Sequence, residues 1–485
     1  MGYTYPAYAI ELTPQILQEC CDVALKLLHA VGFRVAHEQF LSQIRGMPGI
    51  RIDGDRVYFD PDLAGRYLQE FISGECAAAQ AKALRPKRAE EWRVVVGGVA
   101  MNLIDMETEE IRPATCQDLR DGIKLVNSYG IGGNYPVMPQ DLPPIMRAIA
   151  CFKICYETSQ DIRPYDYQQP EQTRYIYEMN RVMGKPFTIT LCVPTQMTLD
   201  PKDVDVFLSF HADFKKNRDI TFATVDHPMG GITKPITIPG CATMTLAESL
   251  AVHILFNLFD PEVRTPVYIR GPSPTDMRHA CWAFGAPNRH LYSCLNAQLV
   301  PRLCGQEPPS WAQDMVLLET ASAVMDEQAA LEKMAQGLLG ALQGARSFYY
   351  AGSLCVDDLF SGVQFVMDVE MVKYIRQVIE AFDPHPDIIS TEGLYEECRE
   401  VSLGRDTFLS HENTVKRFRN IVSPSERLIR QKLQSWLSHR TTLKDRARAE
   451  ALDRIRNFEP YHLPEDRQSE LDKIYARAQK ELIGR

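Results

Sequence analysis

The sequence lacks the motifs that identify several common enzyme classes. Its 485 residues contain no GxGxxG or GxxxxGKS/T loop, no GxSxG and no HExxH, and the eleven histidines include no HxH pair. These absences exclude the usual nucleotide-binding loops and argue against α/β-hydrolases and zinc proteases.

Basic residues are also few. Lysine and arginine number 53 against 63 aspartates and glutamates, so the formal net charge is −10 and nucleic acid or an anionic membrane is a poor partner. No basic stretch followed by an apolar one opens the chain, so we expect no secretory signal. The longest apolar run, residues 241–259, contains Glu248, His253 and Asn257, which favours a buried helix over a membrane span. We therefore predict a soluble, cytoplasmic protein.

The thirteen cysteines include no CxxC pair. Scattered cysteines of this kind predict neither a disulfide framework nor a thiolate zinc site. We expect reduced thiols, as is usual in the cytoplasm.

The chain does contain enough apolar sequence for a large core, with 45% hydrophobic residues. Residues 1–115 predict an N-terminal helical cap with short hairpins. Its predicted elements are a helix that begins at Thr13-Pro14, a hairpin of 50–52 with 56–59, and a hairpin of 93–96 with 99–104 through Gly97-Gly98.

Residues 116–400 alternate short β-rich runs with helical stretches. The β-rich runs are 131–135, 161–167, 187–193, 220–226, 266–271, 290–295 and 347–352, with a weaker candidate before Trp311. Seven or eight such units predict an α/β fold of the TIM (β/α)8 barrel type rather than an open doubly wound sheet. Residues 401–485 predict a charged C-terminal helical extension, with helices over 428–437 and 463–482.

In such a barrel, function lies at the carboxyl ends of the strands. The residues there are rich in aromatics and poor in pairs of acids and bases. Aromatic ring faces suit a quaternary ammonium, although most aromatic side chains pack in cores. Arg270 and Arg278 suit a carboxylate, but surface ion pairs explain them equally well. Asp226-His227 supplies at most one metal ligand or base, and a structural pair is the simpler explanation. These patterns alone do not identify the reaction that the protein catalyses.

A longer set of motifs is more specific. It begins with GITKPITIPG at residues 231–240 and LAESL at 246–250. Further elements follow in order: TDMR at 275–278, FGAP at 284–287, DEQAALE at 326–332, AGSL at 351–354, then Ser361, Val366, Asp368 and Glu370, and DTFLSH at 406–411. In order and spacing, this set resembles the trimethylamine methyltransferase (MttB) family from the first helix to the C-terminus.

The resemblance implies a TIM barrel that moves a methyl group from an amine to the cobalt of a corrinoid carried by a separate small protein. Because the chain contains only standard residues, it is similar to the non-pyrrolysine branch, whose members demethylate quaternary amines such as glycine betaine. The implied cofactor is the partner's corrinoid (cobalamin), and no bound metal is expected. Asn288 stands where the family has Glu, and the positions of Phe348, Tyr349 and Tyr350 vary among members, which leaves the exact amine open.

The implied chemistry needs no catalytic side chain, because Co(I) is itself the nucleophile and the leaving group is a neutral amine. The chain's own part is to position the substrate. We assign an aromatic cage to Tyr135, Phe284, Trp311, Tyr349 and Tyr350, a carboxylate anchor to Arg270, Arg278 or His279, and orientation of the substrate to Gln196 and His227.

Two alternatives stay open. A zinc-dependent methyltransferase of the methanol type is also a barrel, but the missing His/Cys cluster counts against it. A non-catalytic betaine-binding barrel would keep the cage and lose the corrinoid partner. The large helical extensions also predict a homo-oligomer.

Overall fold

The structure is a computed structural model. It describes residues 12–83, 92–98, 100–164, 169–217, 219–305, 315–381, 391–404, 407–421, 425, 427–459 and 461–484. Helices and short strands alternate through most of this range, so the chain has an α/β fold.

The N-terminal part of the described chain is mainly helical. Its elements are α1 (Pro14–Ala30), β1 (Phe33–Val35), α2 (Glu38–Ile44), β2 (Ile50–Asp53), β3 (Arg56–Phe59) and α3 (Pro61–Ala83). Thr13 caps α1, because its side chain accepts a hydrogen bond from Ile16 N (3.2 Å). The antiparallel pair of β2 and β3 confirms the first predicted hairpin.

The middle of the chain alternates strands with helices. Its elements are β4 (Arg93–Val96), β5 (Asn102–Ile104), β6 (Ile111–Pro113), α4 (Cys116–Asn127), α5 (Pro144–Thr158), α6 (Pro170–Met183), β7 (Phe187–Val193), β8 (Thr198–Leu199), α7 (Pro201–Lys216), β9 (Ile220–Asp226), α8 (Ile238–Phe259), β10 (Thr275–Asp276), β11 (Cys281–Trp282), α9 (Pro287–Leu303), β12 (Met315–Leu317), α10 (Glu327–Leu342), β13 (Ser347–Ala351), β14 (Ser353–Leu354), β15 (Leu359–Phe360) and α11 (Gly362–Ala381).

The C-terminal part is helical. It contains α12 (Thr391–Gly404), a 3-10 turn (Phe408–Ser410), α13 (Glu412–Ile421), α14 (Leu433–His439), α15 (Leu443–Asn457) and α16 (Glu465–Leu482). The last helix confirms the prediction over 463–482. The helix predicted over 428–437 begins only at Leu433. Helix α15 packs on α4 and α11, and α16 packs on α5 and α6.

The longer strands of the middle part pair in parallel. β13 lies between β12 and β4, and β7 pairs with β9 along its whole length. Beyond β4, isolated parallel β-bridges pair Val96 with Gly133 and Gly133 with Ile162, so the order of parallel segments continues on that side. The predicted strands over 187–193 and 220–226 are therefore confirmed. The paired strands in the described part of the chain form separate sheets and do not close into one barrel.

Several predicted strand assignments are wrong. Residues 266–271 form no strand. β4 does not form a hairpin with residues 99–104: it pairs in parallel with β13, while β5 pairs with β6. Because β13 lies about 250 residues after β4, the local sequence pattern around β4 does not predict this pairing. Residues 290–295 lie inside α9, which begins with Pro287 at its first turn. A short apolar run does not separate a strand from a buried helix.

The prediction that all cysteines are free is also wrong. Cys76 in α3 forms a disulfide with Cys304, which ends α9, across 228 residues of sequence. The packing of α3 on α9 brings the two Cα atoms to 5.4 Å. Sequence spacing does not reveal such a pair.

Helix α8 is the apolar run noted in the sequence. It is long and apolar enough to cross a membrane, but most of it is buried in the protein. It packs against α1, α2 and α3 and contributes Leu246, Leu250 and Leu255 to the largest core cluster. This burial is that of a core helix, as predicted.

Candidate functional site

The carboxyl ends of the parallel strands carry several of the predicted residues, among them Gln196, His227 and Tyr350. We call this region the carboxyl edge and define it by Gly97 after β4, Gln196 after β7, Asp226 at the end of β9, Glu319 after β12 and Tyr350 in β13. In parallel α/β sheets, ligands bind beyond this end of the strands.

A large cavity reaches the carboxyl edge beside β4 and β13. Its volume is about 940 Å³. Its aromatic lining includes Trp92, Tyr129, Tyr349 and Tyr350, and its charged lining is Arg93, Asp161, Arg163, Lys373 and Arg376. Tyr349 and Tyr350 are the predicted site residues that the structure places in its wall.

The chain after β13 has an unusual backbone. Tyr350, Cys355 and Val356 have positive φ angles of 64°, 48° and 68°. Hydrogen bonds fix this segment, since Leu318 N donates to Tyr349 O (2.8 Å) and Val356 N donates to Thr320 O (2.7 Å). Strained backbone of this kind concentrates at functional sites, where the surroundings hold it in place.

Two glycines at the end of β4 contact this segment. A Cβ atom on Gly97 would lie 3.5 Å from Tyr350 N, and one on Gly98 would lie 3.4 Å from Ser353 Oγ. Gly98 also has a φ of +91°, which side chains rarely adopt. Gly97-Gly98 is therefore the point where β4 ends against the segment after β13, and not the turn of a hairpin.

A buried ion pair supports the same segment. Lys333 Nζ donates to Asp368 Oδ2 at 2.7 Å, and both side chains are almost completely buried. The same oxygen accepts from Gly352 N (2.8 Å), and Gln364 Nε2 donates to Asp368 Oδ1 (2.8 Å). The pair gives Asp368, one of the recognised motif residues, a structural role in holding the strained turn.

The motif at 326–332 shapes the loop after β12. Asp326 caps α10 by accepting from Ala329 N (3.0 Å). Glu332 accepts from Ala321 N (2.9 Å) and from Thr320 Oγ1 (2.5 Å). The two carboxylates together fix the chain immediately beyond Glu319.

Glu319 is a strongly perturbed carboxyl at the carboxyl edge. Only 4% of its side chain is exposed, and Arg289 Nη2 donates to its Oε2 at 3.1 Å. Burial raises its pKa to about 7, and the attraction of Arg289 offsets only part of this. A carboxyl that titrates near neutrality in such a position is a functional candidate.

Phe284 already contacts a cation of the protein itself. The Arg289 guanidinium lies 4.8 Å from the centre of its ring, and the Trp282 ring stacks on it at 4.8 Å. Arg289 Nη1 also donates to Ser273 Oγ (3.2 Å). The Phe284 ring therefore forms part of a small stack beside Glu319.

The ends of β7 and β9 carry a second charged group. Lys234 Nζ lies 2.6 Å from Glu248 Oε2, and both side chains are fully buried. Glu248 Oε1 accepts from Met197 N (2.9 Å). Burial raises the pKa of Glu248, while Lys234 acts in the opposite direction. Asp226, also buried, lies 3.5 Å from Arg270 Nη1.

The other predicted residues are spread along the edge or lie away from it. Gln196 is exposed and donates to Ile232 O (3.1 Å), and His227 is exposed beside it in the β9 loop. Arg278 and His279 pair with Asp276 in solvent. Tyr135 is completely buried in the core. Trp311 lies outside the described residues.

Sequence reasoning missed Glu319, Arg289 and Tyr268. Glu319 follows the apolar residues 315–318, and its position would have been found had the strand been placed there instead of before Trp311. Arg289 stands between Asn288 and the stretch 290–295, which was assigned to a strand. Among the described residues, no group of three or more His, Cys, Asp or Glu side chains has a geometry suited to a metal ion.

Comparison with known proteins adds the identity that geometry alone does not give. The family model "Trimethylamine methyltransferase (MTTB)" matches residues 4–483. The chain is 23% identical to a glycine betaine methyltransferase of Desulfitobacterium hafniense, over 99% of both chains. It is 26% identical to trimethylamine methyltransferase MttB2 of Methanosarcina mazei over 38% of this chain and 35% of that protein.

The solved monomethylamine methyltransferase MtmB of Methanosarcina barkeri covers 93% of both chains, with 10% identity. Its TM-score of 0.36 is too low to support an argument about fold or site. The family match, by contrast, covers nearly the whole chain and confirms the resemblance drawn from the motifs. The chain belongs to the trimethylamine methyltransferase (MTTB) family and is a methyltransferase.

Proposed function

We propose that the protein moves a methyl group from a quaternary amine, glycine betaine or a related betaine, to the Co(I) of a corrinoid carried by a separate protein. The observation that carries this proposal is the end-to-end alignment with a glycine betaine methyltransferase, in a chain whose edge cavity is walled by Tyr349 and Tyr350. A corrinoid carried by a partner is a substrate here and not a resident cofactor.

The described side chains suit positioning better than acid–base chemistry. A quaternary ammonium leaves as a neutral amine and needs no proton, while the reduced cobalt of the partner supplies the nucleophile. What remains for the protein is to hold the N–CH3 bond in line with the approaching acceptor.

Tyr349 and Tyr350 form the aromatic wall in this proposal. Ring faces attract a cation that has no hydrogen bond to donate. Because the positive charge disappears during methyl transfer, a closed cage would stabilise the substrate more than the transition state. Two rings on one wall of an open cavity fit this requirement.

The corrinoid partner needs a surface on the carboxyl edge. Three apolar side chains are exposed there, Ile232 (38%), Ile236 (58%) and Met277 (55%). They form one patch, since a Cβ atom on Gly231 would lie 3.2 Å from Met277 Sδ and 3.7 Å from Ile236 Cδ1. An exposed apolar patch beside a site marks a contact surface.

We also propose that the strand segments form a TIM (β/α)8 barrel between an N-terminal cap (1–115) and a C-terminal extension (401–485). The parallel order β12–β13–β4, continued through Gly133 and Ile162, and the parallel pair β7–β9 support this arrangement. A cytoplasmic location and self-association belong to the same proposal.

The test is to mix the purified protein with cob(I)alamin and a panel of quaternary amines and to follow the Co(I) absorbance. We expect loss of Co(I) with one betaine, together with the demethylated amine. No loss with any quaternary amine would refute the proposal. Saturable betaine binding without loss of Co(I) would instead favour a non-catalytic binding protein.

A further inference from the structure

Arg270, Arg278 and His279 are the three candidates for binding the carboxylate of a betaine. Arg278 donates Nε to Asp276 Oδ1 (3.0 Å) and Nη2 to Oδ2 (2.8 Å), and His279 Nδ1 lies 3.1 Å from the same carboxylate. Both side chains lie mostly in solvent. Because Asp276 already occupies the planar face of the Arg278 guanidinium, these two groups are poorly placed to select a ligand.

The backbone of Arg270 is held by helix α8. Thr245 Oγ1 accepts from Arg270 N (3.1 Å) and donates to Arg270 O (3.0 Å). One helical turn later, Ser249 Oγ accepts from Tyr268 N (3.2 Å) and donates to Tyr268 O (3.1 Å). The helix rises roughly 6–7 Å from Thr245 to Ser249, and an extended chain covers about the same distance from Tyr268 to Arg270. The two side chains of the helix therefore lie opposite the two residues of the extended segment. Residues 268–270 are thus fixed without a strand partner.

The side chain of Arg270 is fixed on two sides. Its guanidinium carbon lies 4.0 Å from the centre of the Tyr268 ring, and its Nη1 lies 3.5 Å from Asp226 Oδ1. The Arg270 side chain is 41% exposed, whereas that of Asp226 is 1% exposed. The guanidinium therefore has one side against a buried carboxylate and an aromatic ring, while the rest of the side chain is exposed beside Asp226.

Asp226 has few other ways to be stabilised. The nearby ammonium of Lys234 is paired with Glu248 at 2.6 Å. In the described part of the chain, Arg270 is the ion-pair partner of Asp226, and burial together with this carboxylate raises the pKa of the neighbouring Tyr268 hydroxyl. A buried carboxylate requires a nearby positive charge, so Asp226 holds the Arg270 guanidinium at this position.

We propose that Arg270 binds the carboxylate of the substrate and selects quaternary amines that bear one, and that Asp226 and Tyr268 are positioning residues for its guanidinium. A guanidinium has five N–H donors, so contact with Asp226 leaves donors for a second carboxylate. This inference rests on the proposed function and names the part of the site that recognises the acid group.

The test compares two ligands that differ in the acid group, glycine betaine and choline, by calorimetric titration of the full chain. We expect the wild type to prefer glycine betaine. Arg270→Lys keeps the charge but loses the planar pair of donors, so it should weaken glycine betaine binding about tenfold to a hundredfold and leave choline unchanged. Arg34→Lys, in the exposed pair with Asp55, is the matched control and should change neither.

Positioning by Asp226 is tested by kinetics. Asp226→Asn should raise the KM for glycine betaine several-fold with kcat unchanged, and Asp226→Glu should restore part of the loss. If Asp226→Asn does not fold, Tyr268→Leu provides the same comparison, since it removes the ring beneath the guanidinium.

The outcomes separate the inference from the function. If Arg270→Lys keeps the wild-type preference for glycine betaine, or if Arg34→Lys loses it, the inference is wrong while the proposed function stands. A wild type that binds both ligands equally also overturns it. A wild type that binds neither ligand refutes the proposed function and the inference together.

Discussion

Two buried groups of charges in this protein differ in how completely they are paired. The C-terminal arginine cluster consists of Arg427, Glu370, Glu450 and Tyr129. Arg427 donates to Glu370 Oε2 (2.6 Å) and to both oxygens of Glu450, and Tyr129 Oη donates to Glu450 Oε1 (2.7 Å). At the carboxyl edge, Glu319 has Arg289 as its ion-pair partner, and the Arg270 guanidinium lies no closer than 3.5 Å to Asp226.

The two regions therefore shift carboxyl pKa values in opposite directions. Burial works against ionisation of Glu450, but hydrogen bonds from Arg427, Tyr129 and Arg454 outweigh it and lower its pKa to about 2. Burial of Glu319 is not outweighed, and its pKa rises to about 7. The comparison indicates that the C-terminal cluster stabilises the fold. The buried carboxyl groups at the carboxyl edge have fewer partners in the protein, which is typical of groups that act on a ligand.

The largest expected effect is on stability. Arg427→Met leaves Glu370 buried without its counter-ion and leaves Glu450 with Arg454 alone, so it should lower the free energy of unfolding by about 3–5 kcal/mol. Urea denaturation measures this, with the exposed Arg430→Met as control. Methyl transfer per folded molecule should not change. A loss no larger than that of the control would contradict a stabilising role for the cluster.

The next effect is a pH dependence at Glu319. Its pKa is about 7 in the folded protein against an ordinary value of 4.5, so the folded state holds this proton more tightly. Stability should therefore fall as pH rises from about 4.5 to about 7, by on the order of 3 kcal/mol from this group, and level off above.

Glu319→Gln should remove that part of the pH slope, as measured by urea denaturation at a series of pH values. The exposed Glu327→Gln serves as control. Equal slopes in the wild type and Glu319→Gln would show that this carboxyl is not perturbed.

A third expectation concerns rate. Tyr349→Ala removes one aromatic ring from the cavity wall and should lower kcat/KM for the quaternary amine about tenfold or more, with the unfolding midpoint little changed. Tyr374→Ala, on the exposed face of α11, is the control. Wild-type rates for Tyr349→Ala would remove this residue from the site.

The smallest expected effect belongs to Tyr129. Tyr129→Phe loses one hydrogen bond to Glu450 while Arg427 remains, so it should cost about 1–1.5 kcal/mol of stability. Chemical denaturation at neutral pH measures the change. A cost as large as that of Arg427→Met would mean that the hydroxyl, and not the guanidinium, holds the cluster together.

Much of the fold was predictable because local patterns dictate it. β7 and β9 alternate or run apolar over their whole length, and Thr13-Pro14 is a strong helix start, so these elements were placed correctly. The partner of β4 and the Cys76–Cys304 disulfide were missed, since each depends on a residue more than 200 positions away.

The site was less predictable than the fold. Motifs identified the family and directed attention to the strand ends, where Tyr349, Tyr350 and Arg270 lie. They did not reveal that Arg289 contacts Phe284, or that Asp226 and Tyr268 flank Arg270, because these contacts form only when separate strands and helices pack.

The most direct test of the central claim is a crystal structure of the wild-type protein with glycine betaine. We predict that the ligand lies at the carboxyl edge, with its trimethylammonium against Tyr349 or Tyr350 and its carboxylate on Arg270. Glycine betaine bound away from this edge, or bound there with its carboxylate in solvent and Arg270 uninvolved, would contradict the account.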